Sequence, residues 1–272
     1  MEIKNKIIIN ADDDDIDISG AIHIPDGIKK IGSFAFSKCE SLRTIFIPSS
    51  VIEICSNAFD CCRMLEEVIL SEGLKKIGEW AFYSCSSLTE IKIPSTVTQI
   101  GNFAFHECAI DHINIPNGIK KINNATFMNC YRLTEVAIPE SVRQISDDAF
   151  ACCNQLEKIT ISEGVERIGK NAFYLCDSLK TINIPNSVTR IGNGAFYRCR
   201  WLKEVQLPNN LTSIEGATFY DCYKLENVII PENIVKIVST AFEGCWVINE
   251  DVKERILKIN PKVNFNHSNR IL

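Results

Sequence analysis

The sequence has no basic excess, no long apolar run and almost no histidine. Its 272 residues carry 29 Lys and Arg against 34 Asp and Glu, a net charge of −5. A nucleic-acid binder usually shows the opposite balance, so nucleic acid is not the expected partner. No apolar stretch approaches the roughly 20 residues of a membrane span. Near the start only Ile7-Ile8-Ile9 is apolar, far short of the core of a secretory leader, which by itself points to the cytoplasm. The four histidines, His23, His106, His112 and His267, lack metal-ligand spacing. No Gly-rich phosphate loop or nucleophile elbow is present. No metal and no cofactor are therefore expected, and no acid, base and nucleophile set marks an enzyme.

What the sequence does have is a unit of 23 residues repeated ten times. The first reads Ile24-Pro25, Ile28, Ile31-Gly32, Ala35-Phe36, Cys39, Leu42 and Ile45, and later ones begin at Ile47, Leu70, Ile93, Ile115, Ile138, Ile161, Ile184, Leu207 and Ile230. One residue is missing near Ala109. A short fixed period means a solenoid, because one unit cannot bury its apolar groups alone and stacking gives a shared core. The 46% of hydrophobic residues suffices for a folded chain,, and the unbroken period predicts one repeat domain and a monomer.

Ten of the thirteen cysteines hold one register: Cys39, Cys62, Cys85, Cys108, Cys130, Cys153, Cys176, Cys199, Cys222 and Cys245. A small thiol suits a narrow buried place, and stacked thiols pointing one way make poor disulfide geometry. Zinc sites use close pairs facing each other, whereas the adjacent pairs Cys61-Cys62 and Cys152-Cys153 diverge. The expectation is a column of buried, reduced thiols.

Within a unit, Leu-x-x-Ile-x-Ile-Pro alternates apolar and polar residues, so it predicts a short strand with one buried face. Proline follows in eight of ten units and ends the pairing. Val-x-x-Ile-Gly then crosses the unit, with Gly32, Gly78, Gly101, Gly169 and Gly192 placed for unusual dihedrals. The spacing Ala-Phe-x-x-Cys-x-x-Leu suits one helical or 3₁₀ turn. Phe recurs in all ten units from Phe36 to Phe242, which predicts a stacked spine.

The unit Ile-Pro-x-x-Val-x-x-Ile-Gly-x-x-Ala-Phe-x-x-Cys-x-x-Leu-x-x-Ile resembles the leucine-rich repeat subtype of the BspA surface proteins, over about residues 18–248. The resemblance implies an α/β repeat solenoid: a horseshoe with a parallel concave β-sheet and short helical or 3₁₀ turns on its convex side. It further implies cell-surface or secreted proteins that adhere to host proteins, with no shared catalytic motif. The domain reading is residues 1–23 as N-terminal cap and partial repeat, 24–248 as ten repeats, and 249–272 as capping helix and tail. Asn249 caps that helix, Val252, Ile256 and Leu257 form its apolar stripe, and Asn260-Pro261 stop it. A strand through Val263 and Phe265 follows.

Asp15-x-Asp17-x-Ser19-Gly20-x-Ile22, ending at Asp26, has calcium-loop spacing, but Pro25 stands where a helix should begin and Ile22 and Ile24 already serve a strand. A solvated acidic turn is the simpler reading. His106 and His112 read as solvated loop residues.

A solenoid projects each repeat position as a row. Glu67, Glu72, Glu90, Glu135, Glu140, Glu163, Glu204 and Glu232 form an acidic row opposed only by Lys92 and Lys158. Lys29, Lys30, Lys75, Lys76, Lys120, Lys121, Arg143, Arg167, Arg190 and Lys236 form a basic one. Phe46, Ile69 and Ile229 break the outward polar pattern and mark a contact. The candidate binding face is Phe46, Glu67, Ile69, Glu90, Lys92, Glu135, Glu204 and Ile229, steering a basic protein partner. The alternative is the aromatic row Tyr174, Tyr197, Trp201 and Tyr220, for protein or carbohydrate. Noncatalytic protein recognition comes first, carbohydrate binding second, an enzyme last.

Overall fold

In a computed structural model describing residues 1–266, neighbouring repeats are joined along three ladders rather than one. His267 and the rest of the expected tail lie outside the described residues. The chain forms two compact units, Met1–Leu133 and Thr134–Leu272, and each is a parallel β-solenoid.

The first ladder is the alternating strand. In the first unit Ala21–Ile22, Thr44–Ile47, Glu67–Leu70, Glu90–Ile91 and His112–Ile113 pair in parallel, one repeat per step. In the second unit Glu135–Ile138 pairs with Lys158–Ile161, and Thr181–Asn183, Glu204–Gln206 and Asn227–Ile229 pair in turn. Period two sends Ile45, Val68, Val136 and Val205 inward, where they are at most 3% exposed,.

The second ladder lies where the sequence predicts only a crossing segment. Lys30–Ile31, Glu53–Ile54, Lys76–Ile77 and Gln99–Ile100 pair in parallel, as do Gln144–Ile145, Arg167–Ile168 and Arg190–Ile191. Two residues with one buried Ile are too short for an alternation signal.

The third ladder corrects the expected helical or 3₁₀ turn. Among the described residues the helical pieces are Asp13–Asp15 and the terminal α1 (Glu250–Ile259). The Ala-Phe-x-x-Cys segments are irregular turns, because in nine of the ten repeats two residues enter the left-handed region, such as Phe34 (φ 60°) and Lys38 (φ 63°), or Trp80 (57°) and Ser84 (55°). These reversals aim alternate N–H groups at the next repeat: Phe36 donates to Ala58 O at 2.8 Å and Lys38 to Asp60 O at 2.7 Å. The intervening N–H groups close turns within the repeat, as in Cys39 to Phe36 O at 3.2 Å. Buried backbone is thereby satisfied without a helix.

The expected glycine role also changes. Gly32, Gly78, Gly101, Gly169 and Gly192 are absent from the left-handed set. They are small because the previous repeat is too close: a Cβ on Gly101 would stand 2.4 Å from Glu79 N.

The spine rings are fully buried. From Phe36 to Phe127 neighbouring centroids are 5.0 to 5.6 Å apart with planes within 9°, and from Phe150 to Phe242 they are 5.3 to 5.7 Å apart. At the front, Glu2–Lys4 and Ile7–Asn10 form an antiparallel hairpin through left-handed Asn5 and Lys6, and its second strand joins Lys30–Ile31 in parallel. At the back, α1 buries only Ile256 fully, while Leu257 is 38% exposed, and Asn249 makes no side-chain cap bond. The expected last strand is instead a turn segment that seats Phe265 on Phe242, centroids 6.4 Å apart.

Candidate protein-recognition face

In the first unit the outward strand positions form two adjacent rows. Phe46 and Ile69 are register neighbours, 50% and 47% exposed. Beside them Glu67 opposes Glu90. Both carboxylates are exposed, and neither has an ion pair or side-chain hydrogen bond among the described residues. Lys92 is exposed close by. Glu90 and Lys92 border a cleft of about 590 Å³, together with Thr89, Asp111, His112 and Asn114. The cleft sits at the shortened repeat. The strand there has two residues, and the Asn114 amide replaces the missing backbone: Oδ1 accepts Ile93 N–H at 3.0 Å and Nδ2 donates to Ile93 O at 2.8 Å. Arg132 holds Asp111 at 2.6 Å. The missing residue near Ala109 was the sequence signal for this cleft.

The remaining charge rows are partly consumed. In the second unit Glu135 binds Lys158 at 2.7 Å and Glu204 faces Asn227 Nδ2 at 3.4 Å. Ile229 is 48% exposed. Glu72 and Glu163 are turn residues rather than members of a free acidic row. Glu72 accepts from Ser95 N, Ser95 Oγ and Thr96 N at 3.0 to 3.2 Å, and Glu163 accepts from Asn186 N and Ser187 N. They stand in the two proline-free turns, where Gly73 and Gly164 have φ of 114° and 111°. In the basic row, Lys30 and Lys76 both bind Glu53, at 2.6 and 2.8 Å, and hold its carboxyl below the usual range.

The aromatic row is a stack. Tyr197 lies between Tyr174 and Tyr220, centroids 5.1 and 4.7 Å away, so both of its faces are covered by its neighbours. Trp201 is 54% exposed, with Lys224 Nζ 5.9 Å from its centroid. A stack missed by the sequence reading stands in the first unit, where Trp80 lies flat on Phe103 at 4.0 Å, beside Tyr83 and His106.

His106 corrects the solvated reading. Its side chain is 12% exposed, Nε2 lies 3.0 Å from Asn129 Nδ2, and Nδ1 is buried without a partner. Burial lowers its pKa below 6.5, against the nearby Glu107. His112 is exposed on its strand. In the calcium-like segment, Asp17 Oδ1 accepts from Ser19 N, Ser19 Oγ and Ala21 N, and Asp15 binds the N-terminal ammonium. Among the described residues no three acidic, His or Cys groups converge on a metal position.

A family model for BspA-type leucine-rich repeat regions matches residues 18–134 and 120–249. The chain belongs to the BspA-type leucine-rich repeat family. Among solved structures, this leucine-rich repeat chain is similar to a leucine-rich repeat protein from Eubacterium ventriosum, at 24% identity over 84% of this chain and 77% of that one, TM-score 0.50. It is also similar to a leucine-rich cell surface protein from Faecalibacterium prausnitzii (26% identity, 91% and 90% covered, TM-score 0.48). The pneumococcal vaccine antigen PcpA is 18% identical, with 93% and 80% covered and a TM-score of 0.48. No curated protein matches the chain. Among the described residues no helix is long and apolar enough to cross a membrane.

Proposed function

We propose that the chain is a noncatalytic recognition scaffold whose first unit binds a protein segment carrying basic side chains next to apolar ones. Adhesion to a host protein, implied by the family resemblance, belongs to the same proposal. The observation that carries the reading is the uncompensated Glu67–Glu90 pair beside exposed Phe46 and Ile69. Like charges directly opposed on a sheet destabilise it, and a Lys or Arg from a partner removes that cost. The apolar pair loses nothing in water and gains when covered. Membership of a repeat family that is generally noncatalytic supports a scaffold. The tyrosine stack supports carbohydrate less, because sugars pack on open ring faces and both faces of the central Tyr197 are covered by its neighbours.

Selection from a phage-displayed peptide library tests this. Enriched peptides should place Lys or Arg beside an apolar residue. Their binding should weaken as salt rises, since exposed pairs are screened over about 8 Å at physiological ionic strength. Glu67→Lys with Glu90→Lys should abolish it while the thermal melt persists, and Tyr197→Ala should leave it intact. Selected peptides without basic character, or binding lost in Tyr197→Ala alone, would overturn the assignment.

A further inference from the structure

The second ladder carries charge in both units, and the two treat it differently. In the first, Glu53 stands in register between Lys30 and Lys76 and binds both, so no two like charges are direct neighbours there. In the second, Arg167 and Arg190 are directly opposed. Both are exposed, and neither side chain has an ion-pair or hydrogen-bond partner among the described residues. Parallel strands lie about 4.8 Å apart, so two guanidinium groups are held on one face where they repel.

The two arginines border a cleft of about 330 Å³ that also presents Lys170 and Asn193. Its carboxylates are already engaged. Asp147 Oδ1 accepts the Lys170 backbone N–H at 2.9 Å. Glu215 accepts the Ser213 hydroxyl at 2.8 Å and faces Lys236 Nζ at 3.8 Å. The cleft keeps a local positive excess in a chain that is acidic as a whole.

We infer that this cleft binds a tetrahedral oxyanion, the group shared by phosphate and sulfate esters. A guanidinium offers a planar fork of N–H donors matched to oxyanion oxygens. Two forks one strand spacing apart can each take oxygens of a single tetrahedral group, which replaces their repulsion by two attractions. Lys170 adds a point charge and the Asn193 amide a neutral donor. The site lies in the second unit on the second ladder, so it stands or falls independently of the face around Glu67 and Glu90.

Titration of the full chain against inorganic phosphate, followed by phosphorus NMR, reads this directly. Inorganic sulfate as competitor gives the second arm, and phosphoserine and a sulfated monosaccharide, run in parallel, tell which ester is preferred. A saturable shift with one site per chain is expected, displaced by sulfate. Arg167→Gln and Arg190→Gln should each weaken it about tenfold or more, as loss of a charge-assisted contact does, and Lys76→Gln should leave it unchanged. Circular dichroism melts establish that the variants fold. No saturable response to any of these small oxyanions, or equal binding by the arginine variants, would overturn the site. So would a response to heparin alone, which reads diffuse charge rather than a built cleft.

Discussion

A thiol recurs once per repeat because its place needs a small apolar group that also donates. Cys62 Sγ reaches Phe36 O at 2.9 Å, Cys108 reaches Phe82 O at 3.0 Å and Cys222 reaches Phe196 O at 3.1 Å. Each of these carbonyls also takes the N–H of the cysteine in its own repeat, so the thiol fills its second lone pair. Valine would pack but not donate. Burial pushes the Cys39 thiol up to about 11 and raises Cys62, Cys85, Cys176 and Cys199 as well. Native thiol labelling at mild alkaline pH should therefore reach at most Cys55, Cys61 and Cys152, which are half-buried, with all thirteen reacting in denaturant. Fast native labelling of column thiols would contradict this. The register was legible in the sequence; the partner carbonyl was not, because it belongs to the preceding repeat.

His106 gives a pH dependence of known sign. Its folded pKa is lowered by burial, so between that value and about 6.5 the unfolded chain binds more protons. Stability is full above about 6.5 and falls as pH drops through this window. The urea midpoint should decline as pH falls below about 6.5, and His106→Phe should flatten the decline. An equal decline in the variant would show that His106 is not the titrating group. A histidine one position beyond a spine Phe gave no sequence sign of burial, since the aromatic pocket around it comes from Trp80, Tyr83 and Phe103 in two repeats.

At the scale of the element, the alternating strand and the phenylalanine spine were readable because each repeats a strong local signal ten times. The second strand and the turn ladder were not. One is too short for periodicity, and the other depends on left-handed residues as varied as Phe34, Trp80, Asp148 and Leu175. These conformations disfavour side chains by about 1–2 kcal/mol each, so they persist through the bonds they make to the next repeat. Gly101 is fixed by close approach, and Gly101→Ala should cost about 1–3 kcal/mol, as overpacking does. Chemical denaturation measures it, and an unchanged midpoint would mean that the repeats stand further apart. The C-terminal segment closes the spine with one partly exposed ring. Phe265→Ala should cost less than a buried spine ring, about 1–2 kcal/mol against the 3–5 kcal/mol of a fully buried Phe→Ala. The loss should appear as faster hydrogen exchange confined to the amides near Phe219 and Phe242. Uniform acceleration across the second unit, or none, would refute a local cap.

Taken as a whole molecule, the chain spends part of its repeated charge on itself. Glu53, Glu135, Asp111 and Asp177 each hold a cation, and Glu72 and Glu163 hold backbone N–H groups. Among the described residues, Glu67 and Glu90 in the first unit and Arg167 and Arg190 in the second are like-charged register neighbours with no ion pair or side-chain hydrogen bond. The sequence placed Glu67, Glu72, Glu90, Glu135, Glu163, Arg167 and Arg190 in its acidic and basic rows, and showed no sign of Glu53, Asp111 and Asp177 as partners of cations. Only the paired register separates spent charges from unspent ones. A repulsive pair on a surface lowers stability, and that cost is the ground of the recognition site proposed above. The urea midpoint at low salt tests this most directly, comparing Glu90→Gln with Glu53→Gln. Glu53→Gln removes the partner of two lysines and should lower the midpoint. Glu90→Gln relieves repulsion with Glu67 and should raise it. A midpoint that falls in both variants would mean that Glu90 is a structural charge like Glu53, and the strand face would lose its claim to be a recognition surface.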